Sequence, residues 1–300
     1  MIAASPTSWG VDYAAAPDNP PWADVLDGVA AAGFRALELG PVGYLPEEPS
    51  VLRAELRGRN LAAAGTFLFE PLHERQRLAS ILALAQRAAK LVAAAEGAYL
   101  VVIDHISPAR AAAAGDSQRA PRLDPDGFEA LVRAVRAVAE VATEHGLRAV
   151  FHPHVATYVE FEDETERLLD AVPGDLLGVC LDTGHSLYAG IEPAAYLRSL
   201  GDRVECLHLK DVDAAVRASV VEGGVHFDEA VAAGVFCPLG HGALDLHALH
   251  RAIREIGFDG YMTVEQDRDP AAQASAVEDA RASLAALQYA GIADERSHAQ

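Results

Sequence analysis

The sequence predicts a parallel α/β fold built from eight repeated units, and three observations carry that prediction. Short apolar runs of strand length alternate with amphipathic stretches of helical length from one end to the other. Several helical stretches stop at a glycine just before the next run, as in Glu144-His145-Gly146, Ala32-Gly33-Phe34 and Ile256-Gly257-Phe258. No GxGxxG or GxxxxGK[ST] motif follows any run, which counts against dinucleotide-binding and P-loop folds. Alternation alone leaves two closures open, a (β/α)₈ barrel and an open doubly wound sheet.

Taken in order, the strand runs cover residues 2–5, 36–39, 63–68, 99–104, 148–154, 177–182, 204–209 and 261–265. Helical stretches between them include 78–95, 127–145, 165–171 and 246–256. The clearest places Phe128, Leu131, Val132, Val135, Val138 and Val141 on one stripe, near i, i+3, i+4, i+7 spacing. No linker rich in Pro, Gly or Ser divides the chain, so residues 1–290 are expected to form one domain, followed by a flexible tail, 291–300. Residues 107–126 read as a rim loop, mobile at 111–115. Residues 211–244 form the longest insertion, of the kind that covers a site.

Composition narrows the function. A formal net charge of −20 argues against nucleic acid and anionic membrane surfaces as partners, since both require clustered Lys and Arg. Three cysteines without CxxC spacing suggest no disulfide framework and a reducing compartment. The chain opens without a basic n-region, and its apolar runs are broken well short of a membrane span. A cytoplasmic enzyme is the expectation.

Strand ends carry residues that a buried strand should avoid: His152-Pro153-His154, Asp182-Thr183-Gly184-His185, His208-Leu209-Lys210-Asp211 and Glu265-Gln266-Asp267. Side chains alternate along a strand, so Val150, His152 and His154 share one face. By the same parity Cys180 lines up with Asp182, Cys206 with His208, and Thr263 with Glu265, opposite the large aliphatics. Each residue alone has an ordinary explanation: Asp182 as a helix cap, a histidine held by hydrogen bonds, Glu265 paired with an Arg, Cys180 and Cys206 as small core fillers. Their coincidence at equivalent depth on four successive strands points instead to a divalent-metal site of mixed nitrogen and oxygen donors. His105, ending the fourth strand, and Glu38, on the second, are placed to reach the same cavity. His226, His241, His247 and His250 show no such placement.

These segments, with Pro238-Leu239-Gly240-His241-Gly242, make the chain resemble the xylose isomerase-like sugar isomerase/epimerase superfamily, most closely its inosose (2-keto-myo-inositol) dehydratase branch. The resemblance runs over nearly the whole chain and is strongest from 150 to 270. It implies a single (β/α)₈ TIM barrel and one divalent metal held by an acidic residue on strand five, Asp on six, His on seven and Glu on eight. The last three match Asp182, His208 and Glu265. Many relatives have Glu where His152 stands, whereas the dehydratase branch shares the His-x-His; His152 is therefore the expected fourth ligand, with His154 the competing candidate. Trp9 matches a position where an aromatic lies over the sugar, so Trp9, Glu38 and His105 are the expected substrate-binding residues.

The implied chemistry is removal of water from a keto-inositol or related keto-sugar through a metal-stabilised enolate, with His185 or His154 taking the α-proton. Lys210 is expected to hold a substrate hydroxyl or offset negative charge, unless it is spent on Asp211 or another rim acid. The alternative is an isomerase or epimerase of a keto-sugar using the same site. Mn²⁺ or Co²⁺ is the expected ion, with Zn²⁺ and Fe²⁺ also compatible. The partner is a small polyhydroxylated ketone, and a homo-oligomer is compatible with the sequence. Apurinic endonucleases share the barrel, but they need a richer His cluster and a basic face, which a charge of −20 opposes. A non-catalytic sugar-binding protein with a relic site is the third class, and metal analysis distinguishes it.

Overall fold

A computed structural model describes residues 1–268 and 275–293. Its strands are β1 (Ile2–Ala4), β2 (Ala36–Leu37), β3 (Ala62–Ala63), β4 (Gly65–Glu70), β5 (Tyr99–Asp104), β6 (Arg148–Phe151), β7 (Leu177–Asp182), β8 (Val204–Leu209), β9 (Asp211–Val212), β10 (Phe236–Cys237) and β11 (Tyr261–Val264). Nine of these form one parallel sheet in the order β3-β2-β1-β11-β8-β7-β6-β5-β4. The two ends of that order are consecutive pieces of one run. Ala64, between β3 and β4, donates its N–H to Leu37 and accepts from Ala98, so the sheet closes and the expected (β/α)₈ barrel is formed.

Closure decides which residues share a layer. Phe151, Val179, Leu181, Leu207 and Leu209 point outward into the core between sheet and helices. Val150, Cys180 and Cys206 point inward and pack with Phe67, Val101 and Ile103. One irregularity sets this parity. The register between β7 and β8 shifts at Val179/Cys180, from Val179 opposite Val204 to Cys180 opposite Cys206 and Asp182 opposite His208. Without that extra residue Asp182 would face Leu207, because a slip of one residue exchanges the two faces of a strand.

The helix at Pro125–Glu144 starts two residues before the expected position. Asp124 caps it, accepting from Gly127 N at 2.7 Å, and Pro125 occupies the first turn, where no donor is needed. Its stripe Leu131, Val135, Val138 and Val141 is buried against the barrel.

Two loop expectations need correction. The segment expected to be mobile at 111–115 is packed, since Ala111 is fully buried and Arg110 is buried behind it. The Arg110 guanidinium pairs with Glu164 at 2.8 Å and Glu160 at 3.1 Å, and Glu160 also accepts from Gly115 N at 2.7 Å. At the C-terminus, the tail expected from 291 does not begin there: Ala293 is buried and Ile292 N donates to Leu287 O. Residues 294–300 lie outside the described residues.

The insertion 211–244 folds over the barrel mouth as the β9–β10 ribbon and helices Ala214–Gly223 and Phe227–Ala232. It has its own small core of Val212, Val220, Phe227, Ala230 and Phe236 against Tyr188 and Val155. Among the described residues, no helix is long and apolar enough to cross a membrane.

Candidate functional site

At the C-terminal ends of the strands, His152, Asp182, His208 and Glu265 each present a ligand atom, all within 4.8 Å of one another. All four are buried. His208 Nδ1 lies 3.1 Å from Glu265 Oε2 and 3.9 Å from Asp182 Oδ2, and His152 Nε2 lies 3.5 Å from the same Asp182 oxygen.

Hydrogen bonding fixes which lone pairs are free. His208 Nε2 is 2.7 Å from Glu38 Oε1 and donates to it, so Nδ1 is the nitrogen turned to the cluster; against its burial, Cys180, Glu265 and Glu38 raise the ring's pKa well above the ordinary value, so a cation binding at Nδ1 would displace a proton. Asp182 Oδ1 caps the helix Thr183–Tyr188, accepting from His185 N at 2.8 Å, which leaves Oδ2 for the cluster. Cap and candidate ligand are therefore two uses of one carboxylate. Asp182 Oδ2 and His208 Nδ1 are buried without a hydrogen-bond partner. Buried polar atoms left without hydrogen-bond partners are costly, and two imidazoles with two carboxylates are donors of the kind that hold a divalent ion, so this donor set fits a divalent metal. Burial alone would raise the carboxyl of Asp182, but Lys210, His152 and His208 hold it at about 2. Glu265 is held well below the usual carboxylate range against its burial, by His208 and Lys210.

Two further groups have ligand-like spacing. His154, His185 and Asp267 form one, but a cation is already there: Lys210 Nζ is 2.7 Å from Asp267 Oδ1 and 3.1 Å from His185 Nε2. The same ammonium is 3.5 Å from both Asp182 and Glu265. These acids keep Lys210 protonated despite its burial. The other group, Cys180, Cys206 and His208, lies one layer deeper in the apolar barrel interior.

Glycines in these segments serve close approach. A Cβ on Gly184 would stand 2.6 Å from the Lys210 side chain, and one on Gly242 would stand 2.4 Å from Asp211 Oδ1. Thr183 Oγ1 ties the first segment to the next, donating to Lys210 O at 2.7 Å and accepting from Lys210 N at 2.9 Å. Asp211 is not the partner of Lys210. It is fully buried and accepts the N–H groups of Val212, Gly240, Gly242 and Leu244, which fixes the Gly240-His241-Gly242 turn.

Above the cluster opens a cavity of about 360 Å³. Its lining combines polar groups, His152, His154, His185, Lys210, Glu265 and Asp267, with aromatic ones, Phe67, Phe69, Tyr13 and Phe227. His154 and His185 stack with ring centroids 3.8 Å apart. Burial, with His152 and Lys210 nearby, pushes His154 down to about 3, so it is neutral near pH 7. Burial and His154 likewise push His185 down. His154 Nδ1 donates to Val155 O at 2.7 Å, which leaves the Nε2 lone pair free. On His185 the ammonium of Lys210 takes up the Nε2 lone pair.

With this geometry in view, comparison with known proteins is decisive for the family. The family model described as the xylose isomerase-like TIM barrel matches residues 26–289. The chain belongs to that family. It is 30% identical over 276 residues to an inosose dehydratase of Geobacillus kaustophilus (strain HTA426), covering 90% of this chain and 88% of the relative. Among solved structures, the IolI protein with a bound zinc atom superposes with a TM-score of 0.71 at 15% identity, over 96% of this chain and 97% of that one. A D-allulose 3-epimerase from Methylomonas sp. superposes with a TM-score of 0.70 at 17% identity, over 96% and 97% of the two chains. At these identities the superpositions speak for the fold.

Within this xylose isomerase-like barrel, the residues expected from sequence fall into three places. His152, Asp182, His208 and Glu265 come together, and His154, His185 and Lys210 line the cavity beside them. The three expected substrate-binding residues do not line it. Trp9 is buried against the helix Trp22–Ala32, where a Cβ on Gly28 would touch its ring nitrogen at 2.9 Å. Glu38 lies behind His208 and also accepts from Thr263 Oγ1 at 3.1 Å. His105 stands behind the aromatic wall, stacked on Phe69 at 4.7 Å and 3.4 Å from the Tyr13 hydroxyl. Sequence reasoning missed Asp12, Tyr13, Asp228 and the role of Asp267. Only Asp267 carried a usable signal, since its parity matches Glu265 two residues earlier.

Proposed function

We propose that the protein is a divalent-metal-dependent dehydratase acting on a keto-inositol or a closely related keto-sugar. One observation carries the proposal: four buried donor residues converge, with Asp182 Oδ2 and His208 Nδ1 left unpartnered, beside a neutral histidine lining the same cavity. The relationship to inosose dehydratases supplies the substrate class. His152, Asp182, His208 and Glu265 would hold the ion. Mixed imidazole and carboxylate donors suit Mn²⁺ or Co²⁺, with Zn²⁺ and Fe²⁺ also compatible. When bound, the cation would polarise the substrate carbonyl and favour the enolate.

The remaining steps belong to the chain's own residues. His154 accepts the α-proton at Nε2, its tautomer fixed by the Val155 carbonyl. Lys210, held by Asp267 and His185, presents a fixed positive charge to a substrate oxygen. The aromatic wall meets the C–H face of the ring, and the helix Phe227–Ala232 limits entry of water. Asp228 and Asp267 on the walls disfavour phosphorylated substrates.

An epimerase would begin with the same proton abstraction and would return the proton to the opposite face. The test is incubation of the Mn²⁺- or Co²⁺-loaded protein with 2-keto-myo-inositol in deuterated water. Appearance of the ultraviolet absorption of a conjugated dione supports dehydration. Deuterium uptake without loss of water supports epimerisation, and neither change with any keto-inositol refutes both.

A further inference from the structure

Dehydration of a β-hydroxy ketone moves two protons, and the dehydratase reading above, on which the following rests, assigns only one of them. A hydroxyl leaves poorly as hydroxide, so a second group should protonate it as it departs. The cavity offers few such groups. Lys210 and Asp267 are paired with each other, and Glu265 belongs to the donor cluster.

Asp12 remains. The 3₁₀ turn Pro6–Trp9 ends at Gly10, whose left-handed φ of 78° only glycine adopts readily, and whose N–H closes on Thr7 O. That turn buries Val11 completely and brings Asp12 to the cavity wall with Thr7 and Tyr13. Asp12 makes no hydrogen bond or ion pair with any described residue, unlike the other acids near the donor cluster. Asp267, Glu265 and Lys210 line the same cavity and act on it electrostatically, and Asp228 and Arg268 line that space too.

We propose that Asp12 is the general acid that protonates the departing β-hydroxyl. After His154 has taken the α-proton, the enolate electron pair re-forms the carbonyl. The C–C double bond forms, the C–O bond breaks, and the Asp12 proton joins the leaving oxygen to give water. Asp12 is left as a carboxylate and His154 as an imidazolium, and solvent exchange returns one proton to the first and removes one from the second. Burial first, then Asp267 and Glu265, raise the Asp12 carboxyl to about 7, so a large fraction holds its proton near neutral pH.

The test separates the two proton movements in D12N, with wild type alongside and with metal content and Tm measured for both. The expected result is that D12N forms dione about 100-fold or more slowly but still exchanges the α-proton with deuterated solvent. Equal loss of exchange and dehydration would overturn the role, as would an unimpaired D12N. If wild type itself exchanges without losing water, or does neither, the dehydratase reading falls and the acid role with it. If wild type dehydrates and D12N matches it, only the acid role falls.

Discussion

A histidine that binds metal through one ring nitrogen needs the other held, and here Glu38 holds Nε2 of His208 at 2.7 Å. In Glu38→Gln the amide holds the ring less firmly and lowers its basicity. Metal affinity, measured by competition with a chromogenic chelator, should fall roughly 10–100-fold. Affinity equal to wild type would mean that Glu38 serves only packing. Asp182 provides a second residue-scale expectation. Its carboxyl is held at about 2, below the usual 3.8, so in the metal-free protein its favourable interactions are complete above about pH 4. They are lost as pH falls through about 2. The stability difference between wild type and Asp182→Asn should therefore narrow on acidification across that window, as read by urea titrations. A difference independent of pH would contradict the placement of Lys210, His152 and His208 around that group.

At the scale of elements, strand parity was legible and loop structure was not. Alternation along β7, β8 and β11 placed Asp182, His208 and Glu265 inward because small or polar residues oppose large aliphatics there. The register shift at Val179/Cys180 that makes the parities of β7 and β8 agree left no mark, since it arises from sheet pairing rather than composition. Glu38 read as a cavity residue because its strand parity is right; its depth is set by the stagger of the barrel. The rim segment read as mobile because it is rich in alanine. Its order comes from Arg110, whose acidic partners lie 50 and 54 residues away. Arg110→Ala would leave Glu160 buried without its ion-pair partner, Glu164 keeping Arg122 at 2.7 Å, and should cost about 3–5 kcal/mol in denaturant unfolding. A cost below about 1 kcal/mol would show that the segment is held by its apolar contacts alone. On the lid, Phe227→Ala removes part of the aromatic wall and should raise KM for the keto-inositol more than it lowers kcat. The reverse pattern would place Phe227 in the chemical step.

For the whole molecule, the barrel gathers residues from positions 7 to 268 into one cavity, an arrangement that short motifs reveal only in part. The motif-bearing strands β7, β8 and β11 were readable. The contribution of the β1 end, Asp12 and Tyr13, was not, because a lone acid in a turn has no periodic neighbours to mark it. A metal that binds only the folded chain also links site and fold: at 100 times its Kd it should add about 2.7 kcal/mol of stability. The ion is expected among His152, Asp182, His208 and Glu265, and not one layer lower with Cys180 and Cys206. X-ray absorption of the Zn²⁺-loaded protein tests this directly, because zinc–nitrogen and zinc–oxygen distances near 2.0–2.2 Å are separable from zinc–sulfur at about 2.3 Å. The expected spectrum has a nitrogen and oxygen shell with imidazole scattering and no sulfur, lost in Asp182→Asn. A sulfur shell, or a spectrum unchanged by that substitution, would contradict it.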